Sequence, residues 1–182
     1  MIDPAQFIAD CQAALDGDRA ARNVREVLAR ALDDPGAMIR ALGEPAAGGV
    51  ETLYRSPELT VLNVIWSPGM VLMPHNHQMW AVIGVYAGRE DNILWRRLPG
   101  DAKTRIEAAG AKSLGEGEAI AFGADVIHSV LNPLSRPTGA LHVYGGDFFG
   151  VPRSEWDPES LDERPLDVEG VLRRLSSGQA RG

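Results

Sequence analysis

The sequence predicts a mainly β protein, an antiparallel sandwich or barrel with a helical segment ahead of it. Two observations carry the fold prediction. Between about Gly49 and Gly146 the chain runs as short apolar segments broken by turn residues, the pattern of many short strands in succession. From Asp3 to about Leu42 the apolar residues recur instead at helical spacing. A third observation concerns chemistry: all four histidines fall in the β-like zone and none in the helical one.

The helices come first. Asp3-Pro4 reads as an N-cap followed by proline in the first turn, with Phe7, Ile8, Cys11 and Leu15 on one face behind it. After Gly17-Asp18, the residues Val24, Val27, Leu28, Ala31 and Leu32 form a second apolar stripe. Asp34-Pro35 opens a third, short helix that Gly43 can end. Such stripes mean packing against a neighbour and carry no chemical role.

Examples of the strand-like runs are "ELTVLNVIW", "MWAVIGVY", "NILWRRL", "AIAF", "VIHSVL" and "ALHVYGG". Ser67-Pro68-Gly69, Ala87-Gly88, Pro99-Gly100-Asp101, Gly115-Glu116-Gly117 and Asn132-Pro133 punctuate them. From Pro152 onward the chain is polar and proline-rich, with one short helix expected around Val168 to Leu175 and fraying expected in the final "SSGQARG". The 182 residues thus divide into N-terminal helices at 1–45, a β-barrel at 46–150 and a partly flexible C-terminal extension at 151–182.

A net charge of −7 argues against broad contact with nucleic acid or an anionic membrane. The single cysteine, Cys11, excludes an intrachain disulfide and any thiolate zinc cluster, so a metal here must take nitrogen or oxygen ligands. Asp3, Asp10, Asp16 and Asp18 interrupt the N-terminus, which does not read as a signal peptide, and no apolar run approaches membrane-spanning length. The expected location is the cytoplasm, as a monomer or homodimer.

His75 and His77 stand one residue apart behind Pro74, a residue suited to the start of a strand. Residues two apart on a strand share a face, so the two imidazoles form a natural half-site for Fe, Zn, Cu or Ni. On its own the pair fits a turn with two polar rings equally well. His128, in "FGADVIHSVLNP", supplies a third ring on a second strand, with a core histidine held by backbone as the alternative. His142 lies two residues before Tyr144 in "ALHVYGG", so these two also share a face.

Gly69, five residues, His75-x-His77 and then Gly88 resembles the first motif of the cupin superfamily. The glutamate that normally follows is replaced by Ala81 and Val82. Gly117, five residues, Gly123-x-Asp125, His128 and Asn132 resembles the second motif, with Gly123 and Asp125 in place of its usual proline and glycine. A cupin with this histidine set and no glutamate is similar to the bacterial thiol dioxygenases of the cysteine dioxygenase and 3-mercaptopropionate dioxygenase type. The likeness runs from about Leu59 to Asp147.

The resemblance implies a double-stranded β-helix, or jelly-roll barrel. It implies Fe(II) held by His75, His77 and His128, with Zn, Ni or Cu also suited to such ligands, and catalytic roles for His142 and Tyr144. The expected partners are O2 and a small thiol such as cysteine or 3-mercaptopropionate, oxidised to its sulfinate. Ala140 stands where the family has a serine that orients the histidine, and Val82 where mammalian cysteine dioxygenase has its crosslinked cysteine. The family's carboxylate clamp falls near Glu51, which would repel a carboxylate; Arg55 and Arg153 are the candidate replacements. Trp80 is a further candidate at the substrate. Trp66, Met70, Met73 and Met79 can join it in keeping the pocket dry, or serve as ordinary core. Another cupin metalloenzyme (a lyase, isomerase or carbon-cleaving dioxygenase) and a non-catalytic cupin that binds a small ligand remain the alternatives.

Overall fold

The computed structural model describes residues 3–100 and 104–177. Three helices lead the chain: α1 (Pro4–Ala13), α2 (Ala20–Ala31) and α3 (Pro35–Leu42). Their starts are written in the sequence. The Asp3 carboxylate accepts from the Ala5 N–H at 2.9 Å, and Asp34 caps α3 through the Ala37 N–H at 2.9 Å. Gly43 ends α3 with φ 89°, a conformation that costs a residue with a Cβ but not glycine.

Eleven strands follow among the described residues: β1 (Gly49–Arg55), β2 (Thr60–Trp66), β3 (Val71–Asn76), β4 (Ala81–Ala87), β5 (Arg89–Arg97), β6 (Ile106–Gly115), β7 (Ala119–Phe122), β8 (Ile127–Leu131), β9 (Thr138–Tyr144), β10 (Ser154–Trp156) and β11 (Glu163–Pro165). They form two antiparallel sheets, ordered β1-β2-β9-β4-β7 and β11-β10-β3-β8-β5-β6. The protein is mainly β, a jelly roll with helices before it, as the sequence predicts.

The helices cover the outer face of the five-stranded sheet. Val24 and Leu28 of α2, with Leu32 at its C-cap, join Val82, Tyr86, Leu141 and Val143 in one core. Gly84 permits this close approach: a Cβ there would stand 2.5 Å from Leu32 Cδ1 and 2.7 Å from Leu28 Cδ2. A second core lies inside the barrel, where Leu62, Val64, Leu72, Val130 and Tyr144 meet. With one face against helices and the other in the barrel, β4 and β9 are buried throughout. This explains why their sequences read as continuous apolar runs rather than alternating ones.

Four local features differ from the sequence reading. Pro74 lies inside β3, at a register shift between Leu72 and His75, rather than at the strand's start. A bulge is where a strand tolerates a residue without an N–H. His77 lies one residue past the end of β3, before Gln78 at φ 56°, so the two histidines do not alternate along one regular strand. β6 escaped the sequence reading because most of its residues are exposed; it is a polar edge strand paired along β5. The C-terminal extension adds β10 and β11 to the six-stranded sheet, with Glu155 opposite His75, and ends in α4 (Val168–Ser177). Of the frayed end expected at 176–182, Ser176 and Ser177 are instead the last residues of α4, while 178–182 and Asp101 of the expected turn at 99–101 lie outside the described residues.

Candidate metal centre

Both sheets contribute to one pocket in the barrel. β3 and β8 pair so that His75 and His128 face each other directly across the strands, while His77 turns inward from the bend after β3. The Nε2 atoms converge: His77 to His75 is 3.2 Å, and His128 to His77 is 3.2 Å. Among the described residues this trio forms a buried group whose ligand atoms all lie within 4.8 Å of one another.

The donor set fits a metal ion. Burial, first of all, pushes the His75 ring down to about 4, with the nearby Arg153 and His142 adding to the effect against the Met73 carbonyl. Burial and neighbouring positive charge likewise hold His77 and His128 well below the ordinary histidine range. The three rings are therefore neutral near pH 7, each able to offer a lone pair. His75 Nδ1 lies 2.9 Å from the Met73 carbonyl and His128 Nδ1 lies 2.6 Å from Asn92 Oδ1. Both oxygens are acceptors, so each Nδ1 carries its proton and each Nε2 is left free as a ligand. Ligand bonds of about 2.1 Å would separate two nitrogens by about 3.0 to 3.4 Å, from a right angle to a tetrahedral one. Two lone pairs held this close repel each other unless a cation lies between them.

The opposite sheet places His142 and Tyr144 on β9, both buried. His142 Nδ1 stands 3.1 Å from the Tyr144 hydroxyl, and the Tyr144 ring meets His77 edge-on at 5.0 Å between centroids. Burial raises the Tyr144 phenol above its ordinary range and keeps it protonated. Ala140, also on β9, has no side-chain group to hydrogen-bond His142. Glu90 on β5 supplies the partner instead, its Oε2 lying 3.2 Å from His142 Nε2. Sequence reasoning missed Glu90 and Asn92. Glu90 lies ahead of the strand-like run "NILWRRL" that Asn92 opens, and period-two spacing places both on the inner face of β5.

Arg153 lines this pocket with the three histidines, His142 and Tyr144. Its guanidinium lies over the Phe148 ring at 3.9 Å, and Nε and both terminal nitrogens are buried without a hydrogen-bond partner among the described residues. Arg55 does not reach the pocket: it is exposed and held by Asp147 through two bonds of 2.8 Å. Trp80 is also outside the lining and packs against Gly145, where a Cβ would stand 2.0 Å from the indole. Glu51 is exposed, whereas its neighbour Val50 lines the pocket, so no carboxylate repels an anion from that position. Of the residues expected to keep the pocket dry, Trp66 is in the lining, Met70 and Met79 are core, and Met73 acts through its carbonyl. Apolar residues of α4, among them Val168, Val171, Leu172 and Leu175, complete the wall.

Among the described residues no helix is long and apolar enough to cross a membrane. No family model matches the chain. Among solved structures, the chain is similar to an RmlC-like cupin family protein with a double-stranded β-helix fold from Methanocaldococcus jannaschii (13% identity, 59% of this chain and 87% of that chain, TM-score 0.47). It is also similar to the DMSP lyase DddQ of Ruegeria pomeroyi (18% identity, 63% of this chain and 54% of that chain, TM-score 0.47). A third likeness is to an oxalate decarboxylase variant of Bacillus subtilis (20% identity, 56% of this chain and 26% of that chain, TM-score 0.43). Likenesses this remote carry no argument about chemistry, which rests on the side chains themselves.

Proposed function

We propose that this chain is a non-haem Fe(II) dioxygenase that converts a small thiol bearing a carboxylate to its sulfinate. One juxtaposition carries the reading: a buried guanidinium without a hydrogen-bond partner among the described residues lines the same pocket as three convergent, neutral imidazoles. A buried charge left unpaired is costly, so a residue kept in that state points to an anionic group that arrives with the substrate. Neutral ligands leave a bound ion its full charge, and anionic thiolate is then favoured over thiol.

His75, His77 and His128 hold the metal, which when bound supplies the redox chemistry that activates O2. Arg153 takes the substrate carboxylate and thereby fixes where the sulfur lies. Tyr144 holds one proton at its phenol oxygen, within reach of His142 Nδ1, which can take and return it. Val168, Val171 and Leu172, with Leu62 and Val130, keep water out. Overall, one thiol and one O2 give one sulfinic acid, both oxygen atoms ending on sulfur.

Oxygen consumption by the iron-loaded protein tests this. 3-Mercaptopropionate and related thiol acids are expected to drive uptake, with a sulfinate as product, and cysteamine, which lacks a carboxylate, to drive little. Absence of thiol-dependent uptake in protein shown to contain iron overturns the proposal.

A further inference from the structure

Glu90 is fully buried, and the side chains that meet it among the described residues are Trp66, Asn92 and His142. Polar groups converge on its carboxylate instead. Trp66 Nε1 donates to Oε2 at 2.8 Å, His142 Nε2 faces the same oxygen at 3.2 Å, and Asn92 Nδ2 donates to Oε1 at 3.1 Å. The indole is a donor only, and a carboxylate surrounded in this way acts as an acceptor on both oxygens. Two consequences follow. His142 must carry a proton at Nε2, which turns its Nδ1 toward the Tyr144 hydroxyl. Asn92 must present its NH2 to Glu90 and its Oδ1 to His128, so that His128 is protonated at Nδ1 and bare at Nε2.

We infer that Glu90 is a positioning residue: one buried carboxylate fixes the ring tautomers of both His142 and, through Asn92, His128. It stands in for the hydroxyl that Ala140 lacks and does what a hydroxyl could not. A hydroxyl at 140 would serve one ring, whereas the two oxygens of Glu90 serve rings on both sheets. The metal ligand and the Tyr144 proton relay are thereby set by the same group.

The significance of this inference rests on the three-histidine reading, but its test needs no thiol turnover. With four histidines in the chain, ring-nitrogen NMR on metal-free, 15N-labelled protein can resolve each ring. In the native protein His142 is expected to be protonated at Nε2 and His128 at Nδ1 alone; a bare Nε2 on His142, or a protonated Nε2 on His128, overturns the inference. Glu90→Gln sharpens the test, because an amide has one acceptor and one donor end. If its oxygen faces Trp66 and His142, its NH2 forces Asn92 to flip and His128 switches tautomer. If its oxygen faces Asn92, His142 loses its acceptor and switches instead. One ring of the two is expected to switch; native tautomers on both rings of a folded Glu90→Gln protein contradict the inference. Asn92→Leu is expected to release His128 alone and to weaken Zn(II) binding by about 10- to 100-fold, with His142 unchanged. A change at His142 in that variant, or native Zn(II) affinity, counts against the arrangement.

Discussion

The Arg153 guanidinium lies 3.9 Å above the Phe148 ring, within the barrel pocket and without a hydrogen bond from any of its nitrogens to the described residues. The ring face offers some compensation to the cation, but it does not satisfy the N–H groups. Desolvation holds the guanidinium below its ordinary proton affinity. A buried guanidinium in this state is costly to the ligand-free protein, and the proposed function gives it an anion to bind.

Arg153→Met therefore has two expected effects of opposite sign. Urea denaturation of the ligand-free variant should show stability equal to or above the native value, by about 1 to 3 kcal/mol. Steady-state kinetics with 3-mercaptopropionate should show KM raised by about 10- to 100-fold, from loss of hydrogen bonds between charged groups worth about 1.5 to 3 kcal/mol. Arg55→Met, which breaks only the exposed pair with Asp147, should leave KM within about twofold.

Metal and stability are linked through the neutral histidines. A divalent ion at about 100 times its dissociation constant should raise the unfolding free energy of the metal-free protein by about 2.7 kcal/mol. For a chain of this size that corresponds to a rise in Tm of about 5 to 10 °C. Thermal denaturation with and without ion should show this rise in the native protein and none in His75→Ala.

Packing of α2 on the sheet depends on the absence of a side chain at Gly84. Gly84→Ala places a methyl group against Leu28 and Leu32, whose nearest atoms would lie between 2.5 and 2.9 Å away. Overpacking of this kind costs about 1 to 3 kcal/mol, read from the midpoint of chemical denaturation. Because Gly84 faces the helices and not the barrel, metal content should be unchanged.

The C-terminal segment is tied to the barrel by Glu163 and Arg97, whose groups meet at 2.5 and 2.8 Å. The Arg97 hydrogen bonds, with help from Thr104 and Ser154, bring Glu163 down to about 2 from its ordinary 4.5. A carboxylate lowered in the folded state stabilises above its unfolded value and loses that contribution as pH falls toward 2. Glu163→Gln should accordingly be less stable at pH 7, and the difference should shrink between pH 4.5 and 2. With Arg97 44% exposed, solvent screening keeps the expected difference to about 1 kcal/mol. Denaturation series at several pH values measure it.

Much of the fold was legible because its signals are local. Asp3, Asp34 and Gly43 mark helix ends by their own chemistry, and the apolar runs of β2, β4 and β9 are continuous because both faces are covered. β6 was not legible, since an edge strand buries little and its pairing with β5 is its main support. At the site, histidines are scarce enough to stand out, and His75, His77 and His128 do come together. Glu90 was hidden because a carboxylate in "RED" looks solvated until strand pairing shows which way it points. Arg153 and Arg55 could not be told apart by sequence: the first is buried beside Phe148, the second is paired with Asp147, and both partners are chosen by tertiary structure.

The most direct test of the metal centre is metal content per chain, measured after purification without chelator and loading with Fe(II), for the native protein, His128→Ala and His142→Ala. The arrangement of Nε2 atoms leads to about one ion per chain in the native protein, almost none in His128→Ala, and near-native content in His142→Ala. Equal loss in the two variants, or a full complement in His128→Ala, would contradict the three-histidine site.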